Sequence, residues 1–331
     1  MGDKTGIEWT DATWNPVVGC SIVSPGCTNC YAMRQAARIE AMGHCMYSGL
    51  TKPTKAGPVW TGITRVNRIA LRKPVEWKRP RKIFVNSMSD LFAETISDDD
   101  IRDIFTVMAI ASHHEFQILT KRADRMQEFL EQEWLLDKIY ANWSTFSGAP
   151  REVLSWPLHN VLIGVSVEDQ RRADQRRSHL KTAADAGWRT FVSYEPALGP
   201  VDWAGWDFLS WLVSGGESGP AARPTHPDWH RAARDFCARY NIPYFFKQWG
   251  EYVPALDRDC DDPDWRADYG HKFADGGKTR WLNIEGGCGF HGDRFHVMRR
   301  DGKRQAGRLL DGIAHNAMPA AASPYREKAD D

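Results

Sequence analysis

Six short apolar runs punctuate the chain: "KIFVNS" (82–87), "EFQILT" (115–120), "NVLIGVSV" (160–167), "RTFVSY" (189–194), "DFLSWLVSGG" (207–216) and "PYFFKQW" (243–249). They are rich in β-branched and aromatic residues and bounded by polar or glycine-containing segments, the pattern of buried strands. Between them the apolar period lengthens. In "SDDDIRDIFTVMAIASHH", Ile101, Ile104, Phe105 and Met108 recur at helical spacing, Ser97 stands as N-cap, and three aspartates meet the positive end of the helix dipole. A second helix is predicted through "RRADQRRSHLKTAADAG", stopped by Gly187. With an early strand near Trp14–Gly19 the strands number about seven, and strands alternating with helices predict βαβ units in a mostly parallel sheet. We therefore expect an α/β fold, a full or partial (β/α) barrel over 1–250, with helical insertions near 33–80 and 123–159 and a C-terminal extension or lid over 251–331. No GxGxxG follows an early strand, which counts against a dinucleotide-binding Rossmann domain.

In such barrels the chemistry sits at the C-terminal ends of the strands, so the polar residues that close each run are the candidates. These are Cys20; Asn86, Ser87, Ser89 and Asp90; Thr120, Lys121 and Arg122; Ser166 and Glu168; Ser193 and Glu195; Glu217; and Lys247, Gln248 and Trp249. The plain alternative is that strands commonly end in solvated polar loops.

Composition narrows the class. The chain has 331 residues, 42% apolar and 26% charged, and no apolar run approaches the roughly 20 residues that span a bilayer. The N-terminal "MGDKTGIEWTD" carries neither a basic nor an apolar leader region, so a cytoplasmic protein is expected; a monomer is the expected assembly. Lysine plus arginine equals aspartate plus glutamate, 43 each, so nucleic-acid binding would need a local patch. The basic stretch "TRVNRIALRKPVEWKRPRK" is the candidate; its other reading is a solvated face. Seven cysteines, an odd and mostly scattered set, speak for metal or redox use rather than a disulfide framework. There is no Walker loop, HExxH helix or GxSxG elbow. His113, His114 and Glu115 lack metal-ligand spacing and read as surface.

Three cysteines stand together in "GCSIVSPGCTNCYA": Cys20, Cys27 and Cys30. The two-residue gap between Cys27 and Cys30 suits one ion or cluster, and the Pro25-Gly26 bend turns Cys20 toward them. A structural zinc site would take Cys45 or His44 as its fourth ligand. A [4Fe-4S] cluster would instead keep one iron open for a cofactor or substrate. Spacing leaves both readings open, along with that of free thiols.

A three-cysteine loop after the first strand of a (β/α) barrel resembles the radical S-adenosylmethionine enzymes. More closely, "IEWTDATWNPVVGCSIVSPGCTNCYAMR", "RKIFVNSMSDLF", "FQILTKRADRM", "GVSVEDQRRAD", "FVSYEPALGPVD", "LVSGGESGPAARPTHPDW", "FFKQWGE" and "AGRLLDG" resemble, nearly stretch for stretch, the phage and bacterial three-Cys-motif family. The radical enzymes usually place three residues between the first two cysteines, where six stand here, and an aromatic residue before the third, where Asn29 stands with Tyr31 beyond it.

The resemblance implies a [4Fe-4S] cluster on Cys20, Cys27 and Cys30 with S-adenosylmethionine on the open iron, reduced by an external electron donor and cleaved to a 5'-deoxyadenosyl radical. It further implies Ser87 and Asp90 at the cofactor's ammonium, Lys121 or Arg122 at its carboxylate, and Glu168 at its ribose, with Glu195 beside them. Glu217 and Arg223, in "VSGGESGPAARP", are assigned to the substrate side, and Gln248 and Trp249 are expected to read or stack on a base. Cys288, Glu217 and Lys247 are the candidate catalytic residues, Cys288 as a hydrogen-atom donor. The expected substrate is nucleic acid, for base modification or repair. The alternatives are a zinc-stabilised nucleic-acid-binding protein without turnover, or a radical enzyme for a peptide or small metabolite.

Overall fold

The computed structural model describes residues 5–133, 135–147, 155–257, 278–287 and 294–320. Cys288 lies outside the described residues. The first part of the chain forms β1 (Ala12–Trp14), β2 (Val17–Val18), α1 (Tyr31–Ala41), the hairpin β3 (Thr51–Thr54) and β4 (Gly57–Trp60), β5 (Arg65–Val66), and the short helices α2 (Arg68–Leu71) and α3 (Lys73–Glu76). Next come β6 (Lys82–Val85), α4 (Asp98–Ile110), β7 (Glu115–Thr120), α5 (Ala123–Leu130), α6 (Leu135–Phe146), β8 (Val161–Ser166) and α7 (Gln170–Asp185). The rest forms β9 (Arg189–Tyr194), β10 (Trp211–Gly215), α8 (Pro227–Arg239), β11 (Tyr244–Gln248), β12 (Tyr252–Asp257), β13 (Thr279–Asn283) and β14 (Phe295–Arg300).

Seven strands make one parallel sheet in the order β1-β6-β7-β8-β9-β10-β11, curled into a half-barrel with β1 and β11 as its edges. The expected barrel is thus partial. Alternate residues serve its two faces, which is why the strand sequences read as nearly continuous apolar runs. Ile83, Val85, Phe116, Ile118, Val161, Ile163, Val165, Val192, Leu212 and Phe246 pack against the helices in the main core. Leu162, Phe191, Trp211, Val213 and Phe245 form the inner cluster, into which the chain's own ends insert Ile7, Trp9 and Met318.

The early strand is shorter than expected. Pro16 has no N–H to continue the ladder; β1 ends at Trp14, and Val17–Val18 turn away to pair antiparallel with Arg65–Val66. The insertion 33–80 is anchored beside this break, where Trp14 Nε1 donates to Ala70 O at 2.8 Å.

The C-terminal extension divides in two. The small antiparallel sheet β12-β14-β13 rests on the loop after β10: Arg300 donates to Gly219 O (2.9 Å) and Pro220 O (2.8 Å), and Gly219 N donates to Glu251 at 2.9 Å. The final described segment does not cover the mouth. It runs along β11, with Phe246 N donating to His315 O and Ala317 N to Tyr244 O, and reaches the opposite end of the sheet, where Arg189 donates to Ala320 O.

Candidate functional site

The three cysteines leave the sheet directly after β2. Gly19 forms a parallel bridge with Ser89, beyond β6, and takes φ +90° with Ile63 O only 2.1 Å from where a Cβ would stand, so glycine alone fits. Pro25–Cys27 form a 3-10 turn, Cys30 N donates to Cys27 O at 3.2 Å, and Cys30 caps the N-terminus of α1. The loop therefore folds back on itself. Cys27 is buried, Cys20 and Cys30 are half-buried, and Cys20 interacts electrostatically with both other thiols. Burial, helped by Asp90, pushes the Cys20 thiol up to about 12. Burial also raises Cys30, although amide groups at the start of α1 work against it.

Three soft donors in one loop have the chemistry of a thiophilic cluster site, whose occupant must displace their protons to bind. His44 and Cys45, the fourth ligands of the zinc reading, are both exposed. Among the described residues one trio of ligand-type atoms lies within 4.8 Å of one another, that of His226, Asp228 and His296. Its carboxylate is already paired with Arg231 and Arg294, and two guanidinium charges disfavour a cation there.

The strand-end residues converge on the cysteine loop, and most are spent in holding it. Asp90 accepts from Thr120 Oγ1 (2.7 Å), Lys121 N (2.9 Å) and Arg122 Nη1 (3.0 Å). Arg122 also reaches Glu94 and donates to Ser21 Oγ inside the loop. Burial alone would lower the Arg122 pKa, but Asp90 and Glu94 raise it above the usual arginine value. From β10, Glu217 accepts from Arg223 at 2.6 and 2.8 Å and from Asn29 at 3.0 Å, while Arg223 Nη2 donates to Pro25 O at 3.0 Å. Beyond β8, Glu168 is 0% exposed and takes Ser24 Oγ at 2.6 Å, Arg176 at 2.9 Å and Lys121 Nζ at 3.5 Å. Burial would raise its pKa, but the two cations and the hydroxyl outweigh it and hold the carboxyl below its ordinary value. Both Glu168 oxygens take contacts from the chain itself, and the carboxylate acts as a strut beneath the loop.

Other expected residues face the barrel interior. Lys247 Nζ pairs with Glu195 at 2.8 Å and lies 4.9 Å from the centroid of the Trp9 ring; Gln248 donates to Glu195 at 3.4 Å. Ser87 donates to Asn15 at 3.2 Å, and its carbonyl takes the Tyr31 hydroxyl at 2.8 Å. Tyr31 keeps 54% of its surface exposed beside Cys30. Trp249, expected to stack on a base, is instead a core residue, 4% exposed, packed on Phe246 and His230 with its indole N–H donating to Leu309 O.

Several cations of the basic stretch have partners within the chain. Arg68 pairs with Asp100 and Asp103 of α4, Lys73 with Glu76, and Arg81 lies over Trp77. Lys82 opens β6, at the end of the sheet away from the thiols. The bracing contacts of Ser21, Ser24, Asn29 and Arg176 are not legible in the sequence, because nothing in a residue's neighbours along the chain reveals a partner far away in it.

The family profile that matches spans residues 4–319, nearly the whole chain. The chain belongs to the family described as Protein of unknown function (DUF5131). A comparison with curated proteins finds no match. Among solved structures, this DUF5131 protein is similar to a mutant of spore photoproduct lyase, with 15% identity and a TM-score of 0.35, over 88% of this chain and 69% of that one. It is also similar to a double mutant of the lyase with bound AdoMet and dinucleoside spore photoproduct, with 14% identity and a TM-score of 0.36, over 87% and 68% of the two chains. Likeness at this level assigns the DUF5131 chain neither reaction nor substrate.

Proposed function

We propose that this protein is a radical S-adenosylmethionine enzyme acting on nucleic acid. The observation that carries the reading is the loop of Cys20, Cys27 and Cys30 at the C-terminal edge of a parallel half-barrel, with Cys27 buried, Cys20 and Cys30 half-buried, and His44 and Cys45, the fourth ligands of the zinc reading, exposed. Those three residues would hold a [4Fe-4S] cluster. Bound there with S-adenosylmethionine, it supplies a 5'-deoxyadenosyl radical when an external donor provides one electron and the cofactor's carbon–sulfur bond breaks.

The chain's own residues perform the rest. Lys121, the less buried of the two cations after β7, offers the cofactor carboxylate a charge-assisted contact, and Ser87 turns polar atoms toward its ammonium. Leu162, Phe191, Val213 and Phe245 wall the interior, and Trp9 and Met318 plug it, so that a reactive intermediate is kept from water. The Lys247–Glu195 pair is the interior's polar anchor for substrate. A polyanion is favoured at one side of the mouth, where three guanidiniums gather round the 217–223 loop. Arg34 lies against Gly219, Arg223 reaches Pro25, and Arg300 reaches Gly219 and Pro220, with Glu217 and Glu251 as the acids between them.

The test is anaerobic reconstitution with iron and sulfide, followed by S-adenosylmethionine and dithionite. About four irons per chain are expected, with 5'-deoxyadenosine formed by the natural chain and not by Cys27→Ala. One tightly held zinc and no cleavage would replace this reading with a structural metal in a binding protein.

A further inference from the structure

We propose that Glu168 and Ser24 form a latch that fixes the three-thiol loop in its ligand-presenting shape, with Gly26 as the notch that admits the carboxylate. Both are positioning residues. The value of that shape for cluster binding rests on the function proposed above, whereas the latch itself does not.

Three independent observations support it. The first is the contact: Ser24 Oγ donates to Glu168 Oε1 at 2.6 Å, across 144 residues of chain, in a buried setting. A hydrogen bond to a charged acceptor is the strong kind. The same Ser24 oxygen lies 3.7 Å from Cys27 Sγ, so the latch acts one atom from a ligand. The second is the fit. A Cβ at Gly26 would stand 2.6 Å from Glu168 Oε1 and 2.7 Å from its Cγ, closer than real Cβ atoms come. The loop passes directly over the carboxylate only because residue 26 has no side chain. The third is the support behind Glu168. Arg176 Nη1, one turn pair along α7, donates both to Glu168 Oε2 at 2.9 Å and to Ser166 O at 2.6 Å, pinning the carboxylate to the end of β8.

The need for such a device follows from the spacing. Six residues separate Cys20 from Cys27, and a loop of that length samples many shapes unless something fixes it. Arg122 holds it at Ser21, Glu217 at Asn29 and Arg223 at Pro25 O, and Ser24 is the tie whose side chain lies against the Cys27 sulfur itself. A ligand set fixed before binding spares the metal the entropy of ordering it.

The experiment compares the natural chain with Ser24→Ala, Gly26→Ala and Glu168→Gln. Metal-free protein is labelled with iodoacetamide, with the rate at each cysteine read by peptide mass spectrometry beside thermal unfolding; reconstituted protein is then challenged with an iron chelator. Ser24→Ala and Gly26→Ala are expected to label at Cys27 about tenfold faster, the factor that one lost charge-assisted hydrogen bond gives, and to lose iron sooner. Their unfolding temperature and the rate at buried Cys237 should hold. Glu168→Gln, which keeps an acceptor for Ser24 but not its charge, should label at Cys27 at a rate between those of the natural chain and Ser24→Ala. Unchanged labelling in both alanine variants would overturn the latch. So would faster labelling that extends to Cys237 with a lower unfolding temperature, since that is general destabilisation. Faster labelling of Cys27 in a chain that takes up no iron would uphold the latch and remove the radical-enzyme reading.

Discussion

Single residues here are governed by burial. His230 is fully buried between Ser214 Oγ (3.1 Å) and Thr225 Oγ1 (2.8 Å), against the rings of Phe246 and Trp249, and burial lowers its pKa from 6.5 to about 3. His114 is lowered to about 4 and His226 to about 3, in both cases chiefly by burial. Between those values and 6.5 the unfolded chain binds protons that the folded chain refuses. Stability is therefore full above about pH 6.5 and falls as the pH drops toward 4. Each such histidine costs up to about 2 kcal/mol between pH 6.5 and 5. Urea unfolding at pH 7 and pH 5 should show the loss, and His230→Phe should flatten the slope even though it weakens the protein at both pH values. A natural chain equally stable at both would mean that these rings are protonated in the fold.

At the scale of elements, α4 shows how much local sequence fixes. Ser97 accepts from Asp100 N at 3.2 Å, Asp98, Asp99 and Asp100 fill the first turn, and Ile101, Ile104, Phe105 and Met108 are buried. Ser97→Ala should cost about 1 kcal/mol, read as a lower urea midpoint with an unchanged slope. The acidic face of this helix also accounts for Arg68 of the basic stretch, which Asp100 and Asp103 receive. Exposed pairs of this kind contribute little stability, so Arg68→Ala should leave the midpoint almost where it was. What the stretch supplies is the seating of α2 beside α4.

For the whole molecule, net neutrality hides an uneven arrangement of charge. Arg34, Arg223 and Arg300 meet at the mouth, while Lys78 and Arg79 precede β6 at the opposite end of the sheet. If nucleic acid enters at the mouth, Arg34→Glu should weaken binding of a single-stranded oligonucleotide and reduce its salt dependence by roughly one ion. Reversing Lys78 and Arg79 together should leave both unchanged, as measured by fluorescence anisotropy from low to moderate salt. The opposite pattern would move the binding face to the far end and detach it from the thiols.

The sequence by itself determined the six later strands of the main sheet, its parallel character, the helices α4 and α7, and the grouping of three cysteines after the early strand. Each of these depends on neighbours within about ten positions, where periodicity, capping and spacing act directly. It also marked Asp90, Arg122, Glu168 and Glu217 as strand-end residues that would meet, and Arg223 as a substrate-side residue. Only the tertiary structure decided what they meet. Ser24 finds Glu168 across 144 residues, Arg223 reaches Pro25 across 198, and Arg122 reaches Ser21 across 101. A charged side chain looks the same in sequence whether it faces solvent, cofactor or another part of its own chain. The same holds for Trp249, whose burial depends on how β11 packs against α8 and on the returning C-terminal segment, and for Arg68 of the basic stretch, which is matched by a helix about thirty residues away. Local chemistry writes the elements; long-range pairing assigns their charges, because electrostatic partners are chosen by distance in space rather than along the chain.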